Sequence, residues 1–202
     1  KVNFKNDIII GGTTKSVETG EVISTQGSHQ PYYGGGNADG FVASFDSNGV
    51  RNWGTFYGGN DYENIMDLET DNDGNIYFIG RTESKDYRMI STINSHKRQM
   101  NNFTDAFFVK MNKDGDRIWG TYFGGDEPEY GTTISVDSKQ NVYILGKSMS
   151  ETAIATPGSH LDSIPGLHYS IYLSKFDSSG KQIWGTYYGC GKNDFNFFPI
   201  RS

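Results

Sequence analysis

A seven-residue stretch, Trp53-Gly54-Thr55-Phe56-Tyr57-Gly58-Gly59, occurs three times and sets the plan of the chain. It returns as Trp119-Gly120-Thr121-Tyr122-Phe123-Gly124-Gly125 and as Trp184-Gly185-Thr186-Tyr187-Tyr188-Gly189-Cys190, at spacings of 66 and 65 residues. All three Trp of the protein lie in it. A period of this size marks a tandem array of supersecondary units, none of which can bury its apolar face alone.

Each repeat reads as four short strands. In the middle one, residues 65–71 alternate roughly between apolar and polar, and Asn72-Asp73-Gly74 makes a turn. Residues 75–80 form a near-continuous apolar run, the pattern of a strand covered on both faces. A long polar connection over 81–104 precedes a third strand at 105–111, the turn 112–115 and a fourth strand at 117–123. The next repeat copies the order, with strands at 132–137, 141–146, 170–176 and 182–188. An Asp or Asn opening each turn bonds its own backbone, and Gly accepts the positive φ that closes the hairpin. Helical periodicity is absent.

The balance of residues agrees. Gly is abundant (26), aromatics make up 14%, and a net charge of −6 with pI ≈ 5.2 disfavours nucleic acid and anionic membrane as partners. No apolar run approaches the ~18 residues of a transmembrane helix. Without an initiator Met or a leader pattern, the chain reads as a mature or excised piece. Cys190 is the sole cysteine, so no intrachain disulfide is available. It reads as a small residue replacing the second Gly of the motif.

Four pieces in fixed order resemble the bacterial β-propeller repeat called SBBP. They are residues 71–80 (Asp-Asn-Asp-Gly-Asn-Ile-Tyr-Phe-Ile-Gly), Thr156-Pro157-Gly158-Ser159-His160, residues 105–110 (Asp-Ala-Phe-Phe-Val-Lys), and the Trp-Gly-Thr ending. The Gly-Ser-His-Gln of residues 27–30 is similar to copies in secreted proteins of Bacteroidota type. The resemblance implies an all-β fold of propeller blades, each with four antiparallel strands, and a secreted or cell-surface location. It transfers no catalytic residue, because the family is defined by architecture.

The repeats fall at about 1–64, 65–131 and 132–194, with 195–202 as the first strand of a further or closing blade. Ile8-Ile9-Ile10-Gly11 is matched here to Tyr77-Phe78-Ile79-Gly80, and residues 195–202 to 62–69. Propellers close with about four to eight blades. Three repeats are therefore either part of a larger array or half of a six-bladed homodimer in which exposed strand edges pair.

Meander geometry puts the short turns at one end and the long connections, 13–39, 81–104 and 147–169, at the other with the interblade links. Loops on a rigid scaffold carry binding residues. The candidate binding set is His29, Gln30, Tyr32, Tyr33, Asn60, Asp61, Tyr62, Glu129 and Tyr130, aromatic faces beside polar groups of the kind that hold sugars. The equivalent His29, His96 and His160 read as loop-fixing residues. Asp71, Asp73 and Asn75 resemble the start of a calcium loop but lack its distant Glu, so a hairpin turn is the simpler reading and no cofactor is expected. Gly34-Gly35-Gly36 lacks the Lys-Ser/Thr and helix of a phosphate loop. Asp126, Glu127 and Glu129 form the tight acidic cluster of this end and read as a solvated loop.

These observations point to a non-catalytic structural or interaction module that binds a protein or glycan on the long-loop face. A lectin-like carbohydrate binder is one alternative, and part of a propeller enzyme acting on polysaccharide is another.

Overall fold

The computed structural model describes residues 1–15, 22–101, 103–164 and 168–189. The Cys190 reading and the strand expected over 195–202 lie outside these residues. Among the described residues, eleven strands form three antiparallel sheets. The first contains β1 (Ile8–Thr14), β2 (Asp39–Phe45) and β3 (Arg51–Tyr57) in that order. The second contains β4 (Glu63–Thr70), β5 (Ile76–Thr82), β6 (Asp105–Met111) and β7 (Arg117–Phe123). The third contains β8 (Glu129–Val136), β9 (Val142–Ser148), β10 (Ser170–Phe176) and β11 (Gln182–Tyr188). The helix α1 (Tyr87–Ile90) is a single turn within the second long connection.

The second sheet is buried on both faces. Tyr77, Ile79, Phe108 and Trp119 pack on Ile134, Ile144, Tyr172 and Phe176 of the third sheet. Phe78, Phe107 and Val109 turn the other way, toward Ile9, Val42 and Tyr57 of the first. Side chains alternate across a pleat, so the apolar run of β5 and the wholly buried β6 serve two cores at once. First strands also touch directly. A register shift between Gly131 and Thr133 interrupts the β8–β9 pairing. The Ile134 N–H and Thr133 Oγ1 donate to Asp67 Oδ2 on β4, at 3.0 and 2.7 Å.

The three-fold motif has a separate task for each residue. Trp53 Nε1 donates to Lys113 O, and Trp119 Nε1 to Ser178 O, both at 3.0 Å, so each indole grips the hairpin of the following sheet. Gly115 lies under the Trp53 ring with φ +89°, and a Cβ there would sit 2.8 Å from the indole. The next Gly lets the long connection cross the strand, since a side chain at Gly54 would strike Ile23 O. The Thr then pins that connection: Thr55 Oγ1 accepts from Gln30 N, Thr121 Oγ1 from Lys97 N and Thr186 Oγ1 from Leu161 N.

This changes the picture of the long connections. Each runs back along the outer edge of its own sheet, with Thr25, Thr92 and Thr156 donating to Gly54 O, Gly120 O and Gly185 O. Phe56, Tyr122 and Tyr187 donate back to Gln30 O, Lys97 O and Leu161 O. The connections thus cover the outermost strand edges, a standard protection against edge-to-edge pairing, and do not gather wholly at one end.

A second correction concerns the start of the chain. Ile8 pairs with Phe45 as Ile76 pairs with Met111, so Gly12, not Gly11, corresponds to Gly80. Residues 3–7 then match the turn at 71–75. Asn3 Oδ1 accepts from the N–H of Lys5 and Asp7 as Asp71 Oδ1 accepts from Asp73 and Asn75. Asn6 takes the positive φ (65°) that Gly74 takes (83°). Lys1 and Ile9 exchange backbone hydrogen bonds of 2.8 and 2.9 Å, which places the first two residues on the edge of β1.

Candidate functional site

At the end where the strands leave for the next sheet, four side chains from the second and third repeats converge. Tyr62 precedes β4, Arg81 lies on β5, Tyr130 on β8, and Tyr169 precedes β10. The Arg81 guanidinium stands 4.8 Å from the Tyr62 ring and 5.2 Å from the Tyr130 ring, which places it between the two sheets. Tyr130 and Tyr169 rings lie 5.7 Å apart and their hydroxyls are 3.4 Å apart. Asn64 Nδ2 donates to Tyr62 Oη at 3.3 Å and Thr13 Oγ1 to Asn64 Oδ1 at 3.0 Å, extending the row to the first sheet. All of these are half-buried or, for Thr13, exposed at the rim. Arg81 makes no ion pair among the described residues. A planar cation on aromatic faces keeps its in-plane donors available for a carboxylate.

Of the sequence candidates, Tyr62 and Tyr130 are thus brought together, through Arg81, which lies at the end of β5 and not in the connection expected over 81–104. Tyr32 is exposed (77%). Tyr33 packs edge-on to Phe56 and donates to Gly36 O. Asn60 is exposed and Asp61 half-buried, its N–H donating to Ser84 Oγ at 2.9 Å. His29 stacks on Tyr57 with ring centres 5.7 Å apart, and burial together with the nearby Arg117 lowers its pKa to about 4. His96 lies against Phe123 and Phe176, and His160 against Tyr188.

Gln30 and Glu129 are buried at two junctions between sheets that the sequence did not reveal. At the first, Asp39 and Glu63 face one another across Gly58. The Glu63 carboxylate accepts from Gly59 N (2.8 Å) and Thr82 Oγ1 (2.5 Å), and Asp39 Oδ2 from Gly34 N (2.6 Å) and Gln30 Nε2 (3.3 Å). At the second, Glu129 accepts from Gly125 N (2.8 Å) and Ser148 Oγ (2.6 Å), while Asp105 pairs with Lys97 Nζ at 2.8 Å. Burial pushes Asp39 and Glu129 up to about 7 and Asp105 up to about 6, and raises Glu63. All four carboxylates are at most 1% exposed, so they hold the chain where one sheet passes to the next and do not face solvent.

The carboxylates of the remaining candidates are hydrogen-bonded nearby. Asp71 Oδ1 accepts from the N–H of Asp73 and Asn75, and Oδ2 accepts from Asn75 Nδ2 and Tyr77 Oη, so both oxygens are engaged. Asp137 repeats this with Lys139, Asn141 and Tyr143, although that turn carries a Lys. Asp126 accepts from Asn101 Nδ2 at 2.7 Å.

Residues 118–150, from β7 to the end of β9, match the family model of the SBBP β-propeller repeat. No curated protein matches the chain. The matched stretch holds Trp119, Glu129, Tyr130 and the Asp137 turn; Trp53 and Trp184 stand at the place of Trp119 in their own sheets, and Glu63 and Asp71 at those of Glu129 and Asp137 in the second.

Proposed function

We propose that the three sheets are blades of a β-propeller belonging to a secreted or cell-surface protein, and that the chain is a non-catalytic interaction module. Its partner is a protein or glycan that offers a carboxylate to the end carrying Tyr62, Arg81, Tyr130 and Tyr169. The SBBP repeat match supports the module reading. One observation carries the choice of face: the Arg81 guanidinium is fixed between two rings from adjacent sheets and has no acidic partner among the described residues. A cation held this way has already lost much of its side-chain freedom, which lowers the entropy cost of binding. The ring would be completed by further blades or by a second copy. Among the described residues the first sheet has three strands where the others have four, and Lys1 and Val2 pair along the edge of β1, which supports a fourth strand there.

Glycan and protein arrays probed with the protein and with Arg81→Ala test the reading. Binding concentrated on uronate- or sialate-bearing glycans or on acidic proteins, and lost in the variant, is the expected result. Binding that ignores both the carboxylates and the substitution contradicts it.

A further inference from the structure

A cavity of about 540 Å³ opens at the opposite end, between the first and second sheets. Its walls are the 3–7 turn, the 25–28 segment of the first long connection, the ends of β2 and β3, and the 113–116 hairpin. The volume lies within the ~300–1,000 Å³ usual for small-molecule sites.

Beside this cavity the first repeat departs from its sisters at three positions. Ser44 stands opposite Trp53 in the pairing of β2 with β3, where Lys110 stands opposite Trp119 and Lys175 opposite Trp184. In those sheets the Lys also crosses onto a Tyr, Lys110 over Tyr77 and Lys175 over Tyr143, each at 5.1 Å. The Tyr position in the first sheet is Ile9, the cross-strand neighbour of Ser44. Asn52 precedes Trp53 where Ile118 and Ile183 precede the other Trp. A hydroxyl and an amide, Ser44 and Asn52, thus line the cavity where the sister repeats carry a long cation and an isoleucine, which leaves it polar.

The groups that remain suit vicinal hydroxyls. Asn52 Nδ2 reaches Ser44 Oγ at 3.2 Å and Asp7 Oδ1 at 3.5 Å, so amide, hydroxyl and carboxylate lie side by side. Asp7 and Asp116 each commit Oδ2 to an Asn of their own turn, Asn3 and Asn112, and line the cavity with the rest of the carboxylate. At the rim Phe4 packs against Gly74 and leaves 59% of its surface exposed. Three Asp against two Lys among the lining residues disfavour a phosphate or a uronate. We infer that this cavity binds a neutral sugar ring, its hydroxyls to Asn52, Ser44, Asp7 and Asp116 and its C–H face to Phe4. This site is separate from the Arg81 end and does not rest on the function proposed for it.

Heteronuclear NMR of the labelled protein titrated with glucose, galactose, N-acetylglucosamine and their β-linked disaccharides tests the inference. The Trp53 indole N–H borders the cavity and serves as reporter, with Trp119 and Trp184 as internal controls. The expected result is a saturable shift of the Trp53 signal, weakened at least tenfold in Ser44→Lys/Asn52→Ile. That variant installs residues the two sister repeats already accommodate, and Phe4→Ala at the exposed rim provides an independent weakening. A Trp53 signal that stays still with every sugar, moves together with the other two indoles, or moves equally in the double variant overturns the inference.

Discussion

Asp39 and Glu63 meet across Gly58 so closely that a Cβ on that glycine would lie 2.7 Å from Asp39 Oδ1 and 2.5 Å from Glu63 Oε2. Gly124 stands between Asp105 and Glu129 in the same way. The glycine at the end of the motif is therefore required by two carboxylates closing over the chain, and only secondarily by the step to the next sheet. At the first junction Asp39 Oδ1 finds no hydrogen-bond partner, and burial favours the protonated acid there.

Stability should follow that protonation. Asp39, raised to about 7, binds its proton more tightly folded than unfolded. Its contribution is complete below the unfolded pKa of about 4 and is lost as pH rises through about 7. His29, lowered to about 4, acts oppositely, with stability falling as pH drops from about 6.5 toward 4. Comparing Asp39→Asn with the parent isolates the carboxylate. Thermal melts should show the variant gaining about 1 kcal/mol at pH 8, roughly 2–4 °C in a chain this long, and gaining little at pH 5. An equal shift at both pH values would show that Asp39 is ionised throughout.

The second junction carries a cation where the first has an amide, and the difference is testable. Lys97, which neutralises Asp105 and also donates to Gly124 O at 2.8 Å, takes the place that Gln30 holds at the first. Lys97→Met leaves a buried carboxylate unpaired and should cost about 3 kcal/mol at pH 7.5. Asp105→Asn in that background should restore much of the loss. Denaturant melts of the single and double variants check this, and simple additivity would contradict the pairing.

The three Trp should not be equivalent. Trp53 and Trp119 each donate to the hairpin of a following sheet, whereas Trp184 is half-buried and meets no such hairpin among the described residues. Trp119→Phe removes a hydrogen bond worth about 1 kcal/mol together with indole packing on Gly180. Trp184→Phe should be nearly neutral. Equal losses at both sites, measured by urea unfolding, would show that packing within one sheet governs all three.

What the sequence made legible was local or periodic. The hairpin turns were visible because Asp71 and Asp137 open them with the same Asx pattern, and the buried β5 because its apolar run is unbroken. The carboxylate pairs were not, because Asp39 and Glu63 belong to different sheets and meet only when one folds onto the other. The start of the chain aligns one residue further on than its pattern suggests, because Asn6 supplies the positive φ that Gly74 supplies in the second repeat and Gln140 in the third. Arg81 was hidden for a similar reason. Nothing in its neighbourhood along the chain announces Tyr130, which arrives from the next repeat. Ser44 against Lys110 and Lys175 hints at the first-repeat cavity, but its walls also need the 3–7 turn and the 113–116 hairpin, which only folding brings together.

The claim that Arg81 makes this end an acid-reading surface is tested most directly by calorimetric titration of a carboxylate-bearing oligosaccharide, a uronate disaccharide, into the protein and into Arg81→Ala. The expected result is saturable binding weakened at least tenfold by the substitution, equivalent to about 1.4 kcal/mol, with Tm unchanged within about 2 °C and affinity falling as salt rises. Equal affinity of the two proteins, or no heat from any carboxylate-bearing ligand, would contradict it.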